Sequence, residues 1–296
     1  MEILLAESAG FCFGVKRAMQ MAYQTLEEAG KENKGRVYSL GPIVHNPQVV
    51  SKLEEMGISV IQDLDDADSG YMIVRTHGIA PEKREEILKR GFKIIDATCP
   101  LVRKIHNIVQ KFEKDGYRIV VIGHKDHPEV KGILGHSNRK AHVVESAEEL
   151  KEIPGNEKIG VVVQTTERLE NFRKISLALS EMYDCSISNT ICYATGERQK
   201  AASELAKVVD IMIVVGGKNS SNTARLVEIC KETGTVTSHV ETAKELKKSW
   251  FKDATKAGIT AGASTPDWII HEVIQWLEKL DSGRNKTGNT RKKKHS

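Results

Sequence analysis

The sequence contains no C-x-x-C pair, which removes the usual zinc-ribbon and thioredoxin-like readings. It also lacks G-x-x-x-x-G-K-S/T and G-x-G-x-x-G, so neither common mode of nucleotide binding is supported. Aromatic residues make up only 5% of the chain, too few for the stacking platforms of single-strand binders, and no nucleic acid is expected at the folded core. The longest apolar runs, such as Ile211–Val215, have strand length, and none approaches the roughly 20 residues of a membrane span. The opening MEILLAESAGFCFG shows neither a basic n-region nor a long apolar h-region. No signal peptide and a cytoplasmic location are therefore expected. No coiled-coil heptad is visible, so a monomer is expected.

What is present suits a soluble globular protein. The 296 residues, 40% apolar and 28% charged, match two or three small domains. The net charge of +4 is misleading, because six cations lie from Ser282 onward (Arg284, Lys286, Arg291, Lys292, Lys293 and Lys294) with no acid among them. Without those six the rest of the chain carries about −2. Residues 282–296 are expected to form a solvated, disordered basic tail.

Short runs rich in Val and Ile alternate with amphipathic stretches. Strands are expected at 3–6, 37–40, 71–74, 93–95, 118–122, 161–163, 211–215 and 258–260, and helices at 14–28, 100–114, 167–182, 196–207, 222–232 and 266–280. Such alternation implies mostly parallel sheets covered by helices. A recurrence of about 90 residues runs beneath it. GPIVHNP and RTHG follow strands in the first third, GHKDHPEV and QTT in the second, GGKNSSN and AGASTP in the last. The period is too long for a solenoid and suits three similar α/β domains, placed at 1–97 (with the N-terminal cysteine strand), 98–191 and 192–281. Ligands of open α/β sheets sit beyond the carboxyl ends of the strands, where all these polar turns lie.

Five cysteines are present, at 12, 99, 185, 192 and 230. Cys12, Cys99 and Cys192 are spaced by 87 and 93 residues, one per third, each at a strand-to-helix junction. Thiolates there face helix N-termini, whose N–H groups and dipole favour negative charge. Cys185 and Cys230 read as small apolar residues of a strand and a helix. The matched trio points to a shared metal site. Zinc held by three thiolates and a histidine is one occupant. An iron–sulfur cluster is the other; it normally takes four cysteines, so three would leave one iron open to substrate.

The segments GFCFGVKRA, GPIVHNPQVV, RTHG, DATCPLV, GHKDHPEV, QTT, ICYAT, GGKNSSNT and TAGASTPDW, in this order across about residues 1–280, resemble the motifs of the hydroxymethylbutenyl diphosphate reductases. The resemblance implies three α/β domains in a pseudo-threefold trefoil around a central 4Fe–4S cluster held by Cys12, Cys99 and Cys192, with the fourth iron open to the substrate hydroxyl. It implies that His45, His77, His127, Ser220, Asn222 and Ser264 bind the substrate diphosphate, with Ser221 beside them in the NSSN turn. It implies that Glu129 delivers protons and that Thr165 orders the substrate and the proton path; Gln164 is an equally polar neighbour of Thr165. The implied reaction is the two-electron reductive dehydroxylation of an allylic diphosphate to isopentenyl and dimethylallyl diphosphate, the last step of the methylerythritol phosphate route. With no flavin or nicotinamide site evident, reduced ferredoxin or flavodoxin is the expected electron donor. Outside this resemblance, a non-redox receptor for a phosphorylated metabolite and a structural zinc protein are the competing classes.

Overall fold

The computed structural model describes every residue except 32–34, 138–140, 156 and 293–296, and over 284–292 the backbone alone. Residues 13–196 form one compact unit, and residues 1–12 with 197–296 form another.

The 13–196 unit contains two four-stranded, all-parallel sheets. The first has the order β3-β2-β4-β5, built from β2 (Val37–Leu40), β3 (Ile58–Ile61), β4 (Tyr71–Val74) and β5 (Lys93–Asp96). The second has the order β7-β6-β8-β9, from β6 (Arg118–Ile122), β7 (His142–Val144), β8 (Ile159–Val163) and β9 (Cys185–Ile187). Helices α1 (Phe13–Lys31), α2 (Pro47–Glu55), α3 (Pro81–Lys89), α4 (Pro100–Lys114), α5 (Pro128–Gly135) and α6 (Leu169–Met182) connect them. The second sheet is covered on both faces. Ile119 and Val121 pack with Ile105, Val109 and Ile133 of α4 and α5, while Val120 and Ile122 pack with Phe172, Ile175 and Leu179 of α6. Burial on both sides is why these strands read as unbroken apolar runs.

The other unit holds the third parallel sheet, in the order β1-β12-β10-β11, from β1 (Glu2–Leu5), β10 (Ile211–Val215), β11 (Val236–Val240) and β12 (Lys256–Ala261). Ile211, Ile213 and Val215 pack against Ile269, Val273 and Leu277 of α9 (Asp267–Lys292). Met212 and Val214 face Ala202 and Ala206 of α7 (Tyr193–Ala206) and Leu226 of α8 (Ser221–Glu232). Cys230 of α8 is fully buried there, and burial pushes its thiol up to about 12, as suits an apolar core residue.

Two expectations change. The N-terminal strand pairs with β12, so it belongs to the sheet of the last third and not to that of the first. Each sheet then ends on its cysteine strand: β5 before Cys99, β9 before Cys192 and β1 before Cys12. In addition, α9 runs on to Lys292, through most of the segment expected to be disordered. Once the apolar stripe of α9 is docked, each further residue adds one backbone hydrogen bond without a new nucleation cost. Residues 293–296 of that expected tail lie outside the described residues.

Candidate active site

The candidate residues all sit in loops or first turns that follow strands. Those of the 13–196 unit follow β2 (His45), β4 (His77), β5 (Cys99), β6 (His127, Glu129), β8 (Thr165) and β9 (Cys192). Those of the other unit follow β1 (Cys12), β10 (Ser220, Ser221, Asn222) and β12 (Ser264).

The three cysteines are held alike. The Cys99 amide donates to the Thr76 carbonyl at 2.9 Å, Cys192 to Thr165 at 3.0 Å, and Cys12 to Ala263 at 3.1 Å. Each acceptor lies in the loop that follows the adjacent strand of the same sheet. Each cysteine immediately precedes a helix, and none of the three helices has an acid in its first turn. All three residues are partly exposed. The arrangement sets each cysteine at a helix N-terminus, whose backbone N–H groups and dipole favour negative charge.

Three histidines meet in the 13–196 unit. Ring centroids are 4.5 Å apart for His45 and His77, 5.6 Å for His45 and His127, and 5.4 Å for His77 and His127. The His45 loop is clamped by Thr76, whose hydroxyl donates to the Ile43 carbonyl at 3.1 Å. Asn46 then caps α2, accepting from the Val49 amide at 3.1 Å. His127 caps α5: its Nδ1 accepts from the Glu129 amide at 3.2 Å, which places the remaining ring proton on Nε2. Burial, then the Arg75 guanidinium, pulls His45 down to about 4. Burial, followed by neighbouring charge at His45, His124 and Arg75, pulls His127 to about 3. His77 falls well below its ordinary value for the same first reason. All three are neutral near pH 7, each with one N–H to donate. One nitrogen from each lies within 4.8 Å of the others, a spacing that a cation could use. The positive charge of Arg75 acts on all three rings, which opposes a dication at this place.

Glu129 is 2% exposed. Its Oε1 accepts from the Thr165 amide at 2.7 Å and its Oε2 from the Thr165 hydroxyl at 2.6 Å. Burial raises its carboxyl above the ordinary carboxylate range, and the two Thr165 bonds only partly oppose this. Gln164 points elsewhere. It accepts from the His124 amide at 3.0 Å and donates to the Thr166 hydroxyl at 2.7 Å, bracing the β6 and β8 turns. The structure thus separates the two neighbours, with Thr165 on the acid and Gln164 in the scaffold.

The other unit repeats the motif with an amide. Asn222 Oδ1 accepts from the Ala263 amide at 2.9 Å, in the same relation that Glu129 has to Thr165. Its Nδ2 is buried and has no partner among the described residues. Ser220 caps α8, accepting from the Thr223 amide at 3.3 Å, while Ser221 is the first residue of α8 and is partly exposed. Ser264 is 7% exposed, in the turn between β12 and α9. An orphaned amide donor beside a helix N-terminus is chemistry that suits an anion.

A family model described as LytB protein matches residues 3–278. The chain belongs to the LytB family. A 4-hydroxy-3-methylbut-2-enyl diphosphate reductase of Geobacter metallireducens is 48% identical over 285 residues, covering 96% of this chain and 99% of the relative. The enzyme of that name from Aquifex aeolicus is 46% identical, covering 96% and 98%. Among solved structures, the Plasmodium falciparum E-1-hydroxy-2-methyl-but-2-enyl-4-diphosphate reductase superposes with a TM-score of 0.86 at 34% identity, covering 94% of this chain and 87% of that one. A structure of (E)-4-hydroxy-3-methyl-but-2-enyl diphosphate reductase, described as the terminal enzyme of the non-mevalonate pathway, gives 0.68 at 45% identity, covering 94% and 100%.

A reductase of the LytB family calls for a metal cofactor. The donors present fit an iron–sulfur group. Three soft sulfur ligands stand at helix N-termini, each held by the same backbone bond. Sequence reasoning missed Arg75, although it lies in the RTHG motif; an arginine in a turn carries no mark of burial. It also missed the stacked His106–His136 pair, centroids 3.9 Å apart. His106 shows in the helical periodicity of α4 only as a polar residue on an apolar face.

Proposed function

We infer that this chain is a 4-hydroxy-3-methylbut-2-enyl diphosphate reductase, converting its allylic substrate to isopentenyl and dimethylallyl diphosphate in isoprenoid biosynthesis. The observation that carries the reading is the equivalent backbone anchoring of Cys12, Cys99 and Cys192, one in each sheet. We propose that these three thiolates hold one 4Fe–4S cluster. When bound, the cluster supplies two electrons one at a time and a Lewis-acidic iron that carries no protein thiolate.

The chain's own residues supply the rest. The neutral imidazoles of His45, His77 and His127 donate N–H groups to the diphosphate, with Arg75 providing positive charge behind them. Ser220, Ser221, the orphaned amide of Asn222 and Ser264 add donors from the second unit. Glu129, whose carboxyl burial keeps protonated above the usual range, gives its proton to the leaving hydroxyl so that water departs. Thr165 holds that carboxyl in place through both of its bonds. Overall, the substrate gains two electrons and two protons and loses one water. Reduced ferredoxin or flavodoxin supplies the electrons.

The test is turnover of the allylic diphosphate by anaerobically purified protein with a chemical reductant. Formation of both five-carbon diphosphates is expected. Stoichiometric cluster with no product would overturn the assignment.

A further inference from the structure

Two arginines outside the proposed catalytic and binding set reach the turns that carry cysteines. Arg17 lies on α1, five residues after Cys12. Its Nη1 donates to the Thr98 carbonyl at 3.2 Å and its Nη2 lies 3.5 Å from the Asp96 carbonyl. Those carbonyls are one and three residues before Cys99. Arg198 lies on α7, six residues after Cys192, and is 4% exposed. Its Nη2 donates to the Gly10 carbonyl at 2.7 Å, two residues before Cys12. Gly10 has φ +81, a left-handed conformation that sets a tight turn there.

Each arginine therefore starts from the helix launched by one cysteine and holds the turn of another. Burying a guanidinium is costly, and the short side-chain bond that Arg198 Nη2 makes to the Gly10 carbonyl ties that buried group to the Cys12 turn. Both Arg17 contacts are to neutral carbonyls, while the carboxylate of Asp96 is engaged by Arg84 at 3.3 Å and Arg103 at 3.1 Å, so the Cys99 turn carries three guanidinium groups against one carboxylate. Three thiolates bind a cluster that becomes more negative on reduction, and a nearby cation stabilises the reduced form more than the oxidised one.

We propose that Arg17 and Arg198 are positioning residues for the iron–sulfur site. They hold the Cys99 and Cys12 turns at the geometry the cluster needs, and Arg17 also raises its reduction potential. This rests on the cluster reading given above.

The test uses the full chain, purified anaerobically, as wild type and as Arg17→Met, Arg17→Lys, Arg198→Met and Arg198→Lys. Three quantities are measured: the half-life of the visible cluster absorbance against an iron chelator, the midpoint potential, and the electron paramagnetic resonance spectrum of the reduced protein. Arg17→Met is expected to lose its cluster about tenfold faster and to show a lower potential. Arg17→Lys should recover the potential but only part of the lifetime, because one ammonium cannot reproduce the planar fork. Arg198→Lys, which keeps a charge in the buried place and guards against misfolding in Arg198→Met, should shorten the lifetime with circular dichroism unchanged. Variants with wild-type lifetime, spectrum and potential would overturn the proposal alone. A wild-type chain without iron and sulfide would overturn the cluster reading and this proposal with it.

Discussion

Glu129 and Asn222 stand in the same relation to the same backbone position of two similar sheets, one as a carboxyl and one as an amide. The difference gives one sheet a carboxyl that can carry a proton and the other an amide that can only donate from a fixed N–H. Glu129→Gln keeps the size and the acceptor oxygen but cannot release a proton. It is expected to retain the cluster spectrum and near-normal KM while kcat falls by about 100- to 10,000-fold, measured by steady-state turnover. Near-normal kcat would contradict the acid role. The pH dependence follows with a definite sign. Glu129 has its folded pKa raised, so its protonated form and the stability of burying it persist at low pH and are lost as pH rises through the folded value. Turnover should decline on the alkaline limb, and Glu129→Gln should lose that limb. The histidines act in the opposite sense. Their folded values lie below 6.5, at about 4 for His45 and about 3 for His127, so stability is full above pH 6.5 and falls between there and pH 3–4 as the unfolded chain takes up protons. Urea midpoints at pH 7 and pH 5 should show the fall, and His45→Gln should reduce it.

The turns that carry these residues depend on what packs beneath them. Gly78 follows His77 with φ +71, and a Cβ there would lie 2.7 Å from His106 Cε1. Gly78→Ala must therefore strain the backbone and displace the stacked His106. It is expected to cost about 1–3 kcal/mol of stability and, with His77 proposed as a binding and not a reacting group, to raise KM more than it lowers kcat. The strands and helices lining the site were largely legible. Runs such as Tyr71–Val74 and Ile211–Val215 are buried on both faces, and that leaves an unbroken apolar signature. β3, β7 and β11 were not legible. They are edge strands, with sequences ISVI, HVV and VTSHV, and their part-exposed residues break the run. The candidate polar residues were legible through motif order, not through single-residue chemistry. Arg75 was not, because its effect comes from distance to three rings that lie 30 or more positions away or only two along a turn.

At the scale of the whole chain, the recurrence of three is closed by the N-terminus. β1 occupies in its sheet the edge place that β5 and β9 hold in theirs, so the last sheet needs the first residues of the chain. The sequence alone suggested the opposite grouping, since neighbours along the chain are the default partners in space. Removing residues 1–5 should strip the β1 ladder from β12, where four residue pairs lie in register. At about 1 kcal/mol per hydrogen bond, that is a loss near 4 kcal/mol and a fall in Tm of roughly 10 °C, read by calorimetry. An unchanged Tm would show that β1 contributes no stability.

The central claim is that one thiol from each sheet serves a single redox cofactor. It is tested most directly by iron and acid-labile sulfide analysis of the anaerobically purified chain, alongside Cys12→Ser, Cys99→Ser and Cys192→Ser. The account predicts brown protein with about four irons and about four sulfides, and loss of both in each of the three variants but not in Cys230→Ser. Colourless protein containing zinc, or a cluster that survives any of the three substitutions unchanged, would contradict it.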